Sequence, residues 1–261
     1  MSKTRHAVHL CPKLPAPVTA LAYDLEHGRV IPEHMHPEDQ LVYACQGVMT
    51  VQTNAGTWVV PAQRAVWIPA RIPHRIQMSG AVSMRTIYLR ARMAAKLPRT
   101  CCVVNVSSLL QHLIVHLCTH ERLSRKSKIQ AHLIDVLIDQ LETVQAVPLQ
   151  LPSLSDARAA RVAAALQNDP SDSCSLESAC EKAGASKRTI ERLFREETKL
   201  SLGKWRQQLR LLRSLQLLAA GEKISHAALE AGYSTPSAFI AMFRKALGTT
   251  PRKYFENSPR A

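Results

Sequence analysis

The sequence has no Cys-x-x-Cys pair, and its cysteines are too scattered to form an evident set of bridges. It contains seven of them, an odd number: Cys11, Cys45, Cys101, Cys102, Cys118, Cys174 and Cys180. Small proteins that depend on disulfides carry even numbers of cysteines at compact spacings. We therefore expect no disulfide framework.

Long apolar runs are also missing. A membrane-spanning helix needs about 20 consecutive apolar residues, and no segment approaches that length. The residues from Met1 to Pro12 are polar and basic, without the apolar stretch of a signal peptide. We therefore expect a cytoplasmic protein that makes no use of a membrane.

Acidic residues are few relative to basic ones. The 261 residues include 34 Lys and Arg against 20 Asp and Glu, a net charge of +14. From Gly184 to the C-terminus the ratio is 15 to 6. This balance suits a polyanionic partner and predicts binding that weakens strongly with salt. The length allows two domains and a connector.

One pattern occurs twice near the C-terminus. Gly184-Ala-Ser-Lys-Arg-Thr-Ile-Glu-Arg-Leu-Phe-Arg195 is echoed by Gly232-Tyr-Ser-Thr-Pro-Ser-Ala-Phe-Ile-Ala-Met-Phe-Arg244. From Phe194 and Phe243 to Trp205 and Tyr254, the copies stay in register at an offset of 49 residues. The repetition indicates a duplicated structural unit.

Each copy has the features of a helix-turn-helix. In the first, a helix from Leu176 to Ala183 ends at Gly184, and Ser186 caps the following helix. Helical spacing turns three apolar side chains inward: Ile190, Leu193 and Phe194. The outward face is charged and is predicted to contact DNA: Lys187, Arg188, Glu191, Arg192 and Arg195. Arginines on this face suit guanine edges in a major groove.

The second copy has a different outward face. Its first helix runs from Ile224 to Gly232, Ser234 is expected to cap the next helix, and Pro236 lies in the first turn. The predicted DNA-facing positions offer apolar contacts and one cation: Pro236, Ser237, Ile240, Ala241 and Arg244. We expect the first unit to discriminate between sequences and the second to anchor the protein.

From Leu154 to Tyr254 the chain resembles the AraC/XylS family of bacterial transcription regulators. The residues that carry the resemblance are spread over both copies: Ser186, Ile190, Arg192, Leu193, Phe194, Arg210, Ile224, Ala228, Gly232, Ser237, Phe239, Phe243, Gly248, Pro251 and Tyr254. The resemblance implies a long helix from Trp205 to Ala219 that joins two units in successive major grooves, about 34 Å apart. Lys199 replaces a usual glycine, and Ala241 a frequent arginine.

The same resemblance implies partners. They are double-stranded promoter DNA, a small-molecule effector, RNA polymerase and a second copy of the chain, with activation and repression both open. No enzymatic activity is required.

The N-terminal half has the pattern of short strands. They are predicted at Leu41 to Ala44, Val48 to Thr53, Thr57 to Val60, Ala65 to Ile68 and Met84 to Leu89. Turns are predicted between them, among others at Gln46-Gly47 and Ser79-Gly80. Many short strands at this spacing predict a β-barrel or sandwich.

A histidine pattern lies within these strands. The chain reads Gly28-x5-His34-x-His36-x3-Gln40-x6-Gly47, followed by Pro69-x-Arg71-x2-His74. This spacing resembles the two cupin motifs, with Arg71 in place of a glycine and Gln40 in place of a glutamate. By position, the resemblance implies that His34, His36, Gln40 and His74 converge.

Three interpretations of this cluster stay open. The residues line a metal-free effector pocket, which we favour, or the histidines are satisfied polar groups of the core, or the cluster holds one divalent transition metal. Four aromatic residues are expected as pocket walls or as core: Tyr43, Trp58, Trp67 and Tyr88.

Two amphipathic helices are predicted between Ser107 and Val144. Their apolar stripes run from Leu109 to Leu117 and from Ile129 to Leu141, and they pair protomers or pack on the barrel. His112, His116 and His120 recur at every fourth position and are assigned to a partly solvated edge.

Together these patterns predict an α+β protein of two domains. A cupin-like barrel (1–100) is followed by a helical hairpin (101–147), a linker (148–154) and an all-α domain (155–261) with helix-turn-helix units at about 174–197 and 222–247. The predicted function is effector-responsive, sequence-specific transcription regulation. The alternative is a metal-dependent cupin dioxygenase or isomerase with a basic nucleic-acid-binding tail.

Overall fold

The structure, a computed structural model, describes residues 16–170 and 176–256. Cys11, Cys174, the start of the expected barrel and the end of the expected all-α domain lie outside the described residues. The described cysteines are free thiols: Cys45, Cys101, Cys102, Cys118 and Cys180. In the same ranges, no helix is long and apolar enough to cross a membrane.

The N-terminal half is a strongly bent antiparallel sheet. Within the described residues its strands are β1 (Val18–Leu25), β2 (Val30–His34), β3 (Glu38–Thr53), β4 (Gly56–Pro61), β5 (Arg64–Ile68), β6 (His74–Arg90), β7 (Cys102–Asn105), β8 (Arg122–Leu123), β9 (Ala146–Val147) and β10 (Gln150–Pro152). The long strands β3 and β6 pair at the centre. At its two ends β3 also pairs with β5 and β4, and β6 with β2 and β1.

The predicted turns at Gln46-Gly47 and Ser79-Gly80 are wrong. Both lie inside long strands, and the β3–β6 register shifts around Gln46. Gly47 has a φ of +78°, and a Cβ there would lie 2.3 Å from the carbonyl oxygen of Ala81. A bulge bends a strand without ending it, so these glycines mark bends within strands rather than turns between them.

A helical hairpin covers one face of the sheet. Its helices are α1 (Ser108–Leu117) and α2 (Lys128–Glu142), capped by the hydroxyls of Ser107 and Ser127. They share a core with the outer face of the sheet through Leu110, Leu113, Ile114, Leu117, Ile134, Leu137 and Leu141. Leu109 and Ile129, predicted in these stripes, are instead 58% and 75% exposed. Packing on the barrel therefore accounts for the buried stripes.

The segment expected to be a linker, 148–154, is attached to the barrel. Its residues 150–152 form strand β10, which pairs with β4. The amide of Val59 also donates to the carbonyl of Leu149, at 3.0 Å. The sheet therefore extends almost to the first helix of the C-terminal half.

The C-terminal half is helical. Within the described residues it comprises α3 (Ala157–Asn168), α4 (Leu176–Lys182), α5 (Lys187–Thr198), α6 (Leu202–Ala219), α7 (Ile224–Glu230), α8 (Pro236–Leu247) and α9 (Pro251–Glu256). The pairs α4–α5 and α7–α8 are the two helix-turn-helix units, and α6 joins them. Ser186 caps α5 as predicted, but the cap of α8 is Thr235, not Ser234.

The two halves pack against each other through α6. Gln216 donates to the hydroxyl of Thr50 on β3, at 2.8 Å, and the indole N–H of Trp205 donates to the carbonyl of Pro152, at 3.2 Å. At Gly80 the backbones approach so closely that a Cβ would lie 2.1 Å from the carbonyl oxygen of Ala219. One apolar core continues from the barrel into the helices.

Candidate functional site

Helix α5, the second helix of the first helix-turn-helix unit and the predicted recognition helix, presents a charged face to solvent. Ile190, Leu193 and Phe194 are buried beneath it, and the ring of Phe194 meets Trp205 edge-on at 5.2 Å. The five positions predicted to contact DNA are all exposed: Lys187, Arg188, Glu191, Arg192 and Arg195. Because the buried side of the helix fixes its rotation, this face is rigidly displayed.

Two cations on this face are engaged by carboxylates. Arg192 donates to both oxygens of Glu196, at 2.9 and 2.7 Å, and Lys187 contacts Glu177 at 3.2 Å. The hydrogen bond to Glu177 raises the pKa of the Lys187 ammonium. Exposed pairs of this kind are weak because water screens them, so they exchange readily for phosphates or base edges.

Helix α8, the predicted recognition helix of the second unit, has a small, mostly apolar face. Pro236 occupies its first turn, and Phe239 and Phe243 are buried. The positions predicted to face DNA are exposed at Pro236, Ser237, Ala241 and Arg244, and Ile240 is partly buried.

The two units match in their backbone as well as in sequence. Lys199 and Gly248, 49 residues apart, end α5 and α8 in the left-handed conformation, with φ of 62° and 79°. Their amides donate to Arg195 and Arg244 respectively, which are also 49 residues apart. The structure thus contains two copies of one unit.

The cluster of histidines lies at the edge of the barrel. His34, at the end of β2, is in register with His74, at the start of β6, and His36 follows just after β2. The ring centroids are 4.3 Å apart for His34 and His74, 5.3 Å for His36 and His74, and 6.0 Å for His34 and His36. Each offers one ring nitrogen, and these three atoms lie within 4.8 Å of one another.

Backbone carbonyls orient the three rings. The Nδ1 atoms of His34, His36 and His74 lie 2.8–2.9 Å from the carbonyl oxygens of Pro32, Glu38 and Ile72. A carbonyl can only accept, so each Nδ1 carries a proton, and the Nε2 of a neutral ring then presents a lone pair. Burial lowers the pKa of His74 to about 4 and also lowers that of His34, so both rings are neutral at pH 7.

Gln40 completes the cluster. Its amide nitrogen donates to Thr86 at 2.9 Å, and its oxygen lies 3.0 Å from Nε2 of His36. Thr86 was missed by sequence reasoning because it is 46 residues away and belongs to no motif. A correct β3–β6 register, which pairs Val42 with Thr86, is the signal that finds it.

Arg71 occupies the motif's glycine position with a glycine-like backbone. Its φ is +63°, and its amide donates to the carbonyl of His36 at 2.8 Å. The turn that presents His36 is therefore kept despite the substitution.

The expected aromatic walls are only partly present. The ring of Tyr88 lies edge-on to His36 at 5.0 Å. Tyr43 and Trp67 belong instead to the core beneath the hairpin, because alternation on β3 and β5 turns them to the outer face. Trp58 is a buried core residue.

Comparison with known proteins agrees with this architecture. A model described as an AraC-like ligand binding domain matches residues 17–152, and one described as a helix-turn-helix domain matches residues 179–257. The chain is 33% identical over 223 residues to the HTH-type transcriptional regulator NimR of Escherichia coli, covering 85% of this chain and 81% of the relative.

Two further similarities are more distant. The HTH-type transcriptional regulator RipA of Corynebacterium glutamicum is 36% identical over 104 residues, covering 40% of this chain and 31% of the relative. The solved structure of ToxT from Vibrio cholerae bound to unsaturated fatty acid has a TM-score of 0.38 and 11% identity, covering 91% of this chain and 94% of that one. On the two family matches and the likeness to NimR, the chain belongs to the AraC family of transcription regulators, with a ligand-binding domain followed by a helix-turn-helix domain that binds DNA.

Proposed function

We propose that the chain binds promoter DNA by placing α5 and α8 in successive major grooves. The matching backbones of the two units and the single helix α6 between them support this arrangement. Both predicted DNA-facing surfaces are exposed apart from Ile240, which is partly buried and packs against the core. Two helices held rigidly at one spacing fit a duplex whose grooves recur every 34 Å or so.

Discrimination between sequences is assigned mainly to α5. Arg188 and Arg192 are suited to pair with guanine in two hydrogen bonds, and Lys187 and Arg195 with phosphates. On α8, Ile240 and Ala241 offer apolar contact to thymine methyl groups, and Arg244 one positive charge. This division of roles follows from the number of hydrogen-bond donors on each helix, which is larger on α5 than on α8.

We assign the effector site to the barrel residues His34, His36, Gln40 and His74. They are polar groups held in fixed orientations, as a recognition site requires. Direct packing of α6 on β3 and β6 provides a path from this domain to the recognition helices. RNA polymerase and a second copy of the chain are the further partners we propose, and the cytoplasm, where promoter DNA is, is the proposed location.

Regulation, rather than the alternative of cupin catalysis, is the function we assign to the barrel. In an enzymatic cupin a carboxylate often serves as ligand or base, and Gln40 supplies only an amide. Oxygen uptake with small organic acids or polyphenols tests the alternative, and we expect none.

The DNA-binding proposal is tested by Arg192→Ala. We expect a loss of about 1–3 kcal/mol at the cognate promoter and a much smaller loss on random duplex, because a base contact is lost. Affinities are measured on both duplexes at the same salt concentration. Equal losses of affinity on the two duplexes would show that Arg192 contacts a phosphate rather than a base.

A matched control is Arg125→Ala. Arg125 is also an exposed arginine paired with a carboxylate, that of Asp135, but it lies before α2 on the barrel side. The variant has the same change in net charge, so we expect its promoter affinity to stay close to that of the unmodified chain.

A further inference from the structure

The histidine cluster contains a buried nitrogen with no partner. Nε2 of His74 is excluded from solvent and has no hydrogen-bond partner among the described residues, and the whole side chain is 0% exposed. Leaving a buried polar atom unsatisfied is unfavourable, and such atoms are uncommon in folded proteins. The nitrogen belongs to the cluster, where the two other rings face it.

A second contact in the cluster joins His36 to Gln40. Nδ1 of His36 donates to the carbonyl of Glu38, and its Nε2 lies 3.0 Å from the oxygen of Gln40. The amide of Gln40 donates to Thr86, which turns its oxygen toward the histidine. An amide oxygen is therefore held beside the ring nitrogens of the cluster.

The remaining geometry also suits a metal ion. Around a tetrahedral ion, nitrogens that lie about 2.1 Å from the metal are roughly 3.4 Å apart. The three ring nitrogens lie within 4.8 Å of one another, so a small movement of the rings brings them to this spacing. His34 is partly exposed and is the ring most able to make that movement. The carbonyls behind each Nδ1 and the hydroxyl behind Gln40 are the outer contacts that orient metal ligands in proteins.

We propose that His34, His36, His74 and Gln40 bind one divalent transition-metal ion. Three neutral imidazoles and an amide oxygen favour ions such as Zn²⁺, Fe²⁺, Co²⁺ or Ni²⁺ over Mg²⁺ and Ca²⁺, which prefer sets of oxygen ligands. Because all four donors are neutral, the site keeps the full charge of the ion. Metal binding itself is independent of the proposed function, and only its role as a regulatory signal rests on that function.

The test uses the full chain, stripped of metal with a chelator, and Co²⁺ as the probe. We expect one Co²⁺ per chain, with the visible absorption of a nitrogen and oxygen site and no thiolate band. Zn²⁺ should displace it, as followed by the loss of that absorption and by calorimetry.

Variants assign the binding to the cluster. His34→Ala removes a partly exposed ligand and should weaken Co²⁺ binding at least tenfold, whereas Gln40→Glu supplies a carboxylate and should strengthen it at least tenfold. His116→Ala is the control, since His116 is an exposed histidine beside His120 on the hairpin, outside the cluster. Circular dichroism confirms that each variant is folded.

Absence of stoichiometric uptake overturns the proposal, and so does uptake that His34→Ala leaves unchanged or that His116→Ala abolishes. Promoter binding is measured on the same preparations. Normal Co²⁺ uptake by a chain that binds no promoter DNA contradicts the proposed function and supports the metal site. DNA binding without any uptake supports the function and overturns the site.

Discussion

At the scale of single residues, the two helix-turn-helix units carry different residues where their second helices end. Lys199 and Gly248 adopt the same left-handed backbone, which glycine takes freely and a lysine takes at a cost. The side chain of Lys199 donates to the carbonyl of Glu196 at 2.9 Å, an exposed contact that offsets little of this strain.

Lys199→Gly should therefore stabilise the chain. We expect the free energy of unfolding to rise by about 0.5–1 kcal/mol, measured by urea denaturation without DNA. Gly248→Ala is the reverse case, because nothing lies within 4 Å of the added Cβ and the backbone strain alone remains. It should lose a similar amount. Destabilisation by Lys199→Gly would show that the lysine contact outweighs the strain.

Residue types and spacing predicted part of the candidate site. The four cluster residues share two short motifs, so their convergence followed from sequence. Thr86 did not, since its role comes from strand register. The sequence could not decide between Ser234 and Thr235 as the helix cap either, because both residue types are good caps. In the structure the cap is Thr235, the residue directly before Pro236.

At the scale of elements, the helical hairpin buries one apolar side and leaves other apolar side chains in solvent. The buried side packs on the barrel and accounts for the predicted stripes except Leu109 and Ile129. Large apolar side chains are exposed on both helices, on what we call the outer face of the hairpin: Leu109, Val115, Ile129 and Val136. Sequence predicted the helices but not which apolar residues they would leave uncovered, because buried and exposed apolar residues follow one another along both helices. The same limit applies to β3 and β6, whose bends resemble turns in sequence.

We expect this outer face to pair two copies of the chain. Ile129→Lys together with Val136→Lys should convert a dimer into a monomer in sedimentation equilibrium, since a dimer interface excludes buried, unpaired charge. Leu229→Lys is the control, because Leu229 is 65% exposed on α7, away from the hairpin. A dimer that survives the double substitution would place the interface elsewhere.

At the scale of the whole molecule, the barrel and the recognition helices form one packed body. The apolar core runs from the strands into α3, α5 and α6, and residues 150–152 of the expected linker form a strand of the sheet. We therefore expect a change at the barrel that moves α6 to shift both helix-turn-helix units, because α6 joins them. Such coupling between two sites is typically worth about 1–3 kcal/mol. Composition and motifs revealed two domains, but the contact between them depends on surfaces that no local pattern describes.

Gly80→Ala tests this contact. Gly80 and Gly28 have nearly the same φ, +75° and +76°, so alanine imposes the same backbone strain at both. At Gly28 nothing lies within 4 Å of the new Cβ, whereas at Gly80 it would meet the backbone of Ala219.

We expect Gly28→Ala to lower stability by about 1–2 kcal/mol and to keep a single unfolding transition. Gly80→Ala should lose more, because β6 and α6 must separate. Its calorimetric unfolding should split into two transitions, one for the barrel and one for the helices. Proteolysis near residues 148–154 should also accelerate, since that segment is held between the two halves. Equal losses in both variants, each with one transition, would mean that the close approach of Gly80 to Ala219 does not hold the halves together.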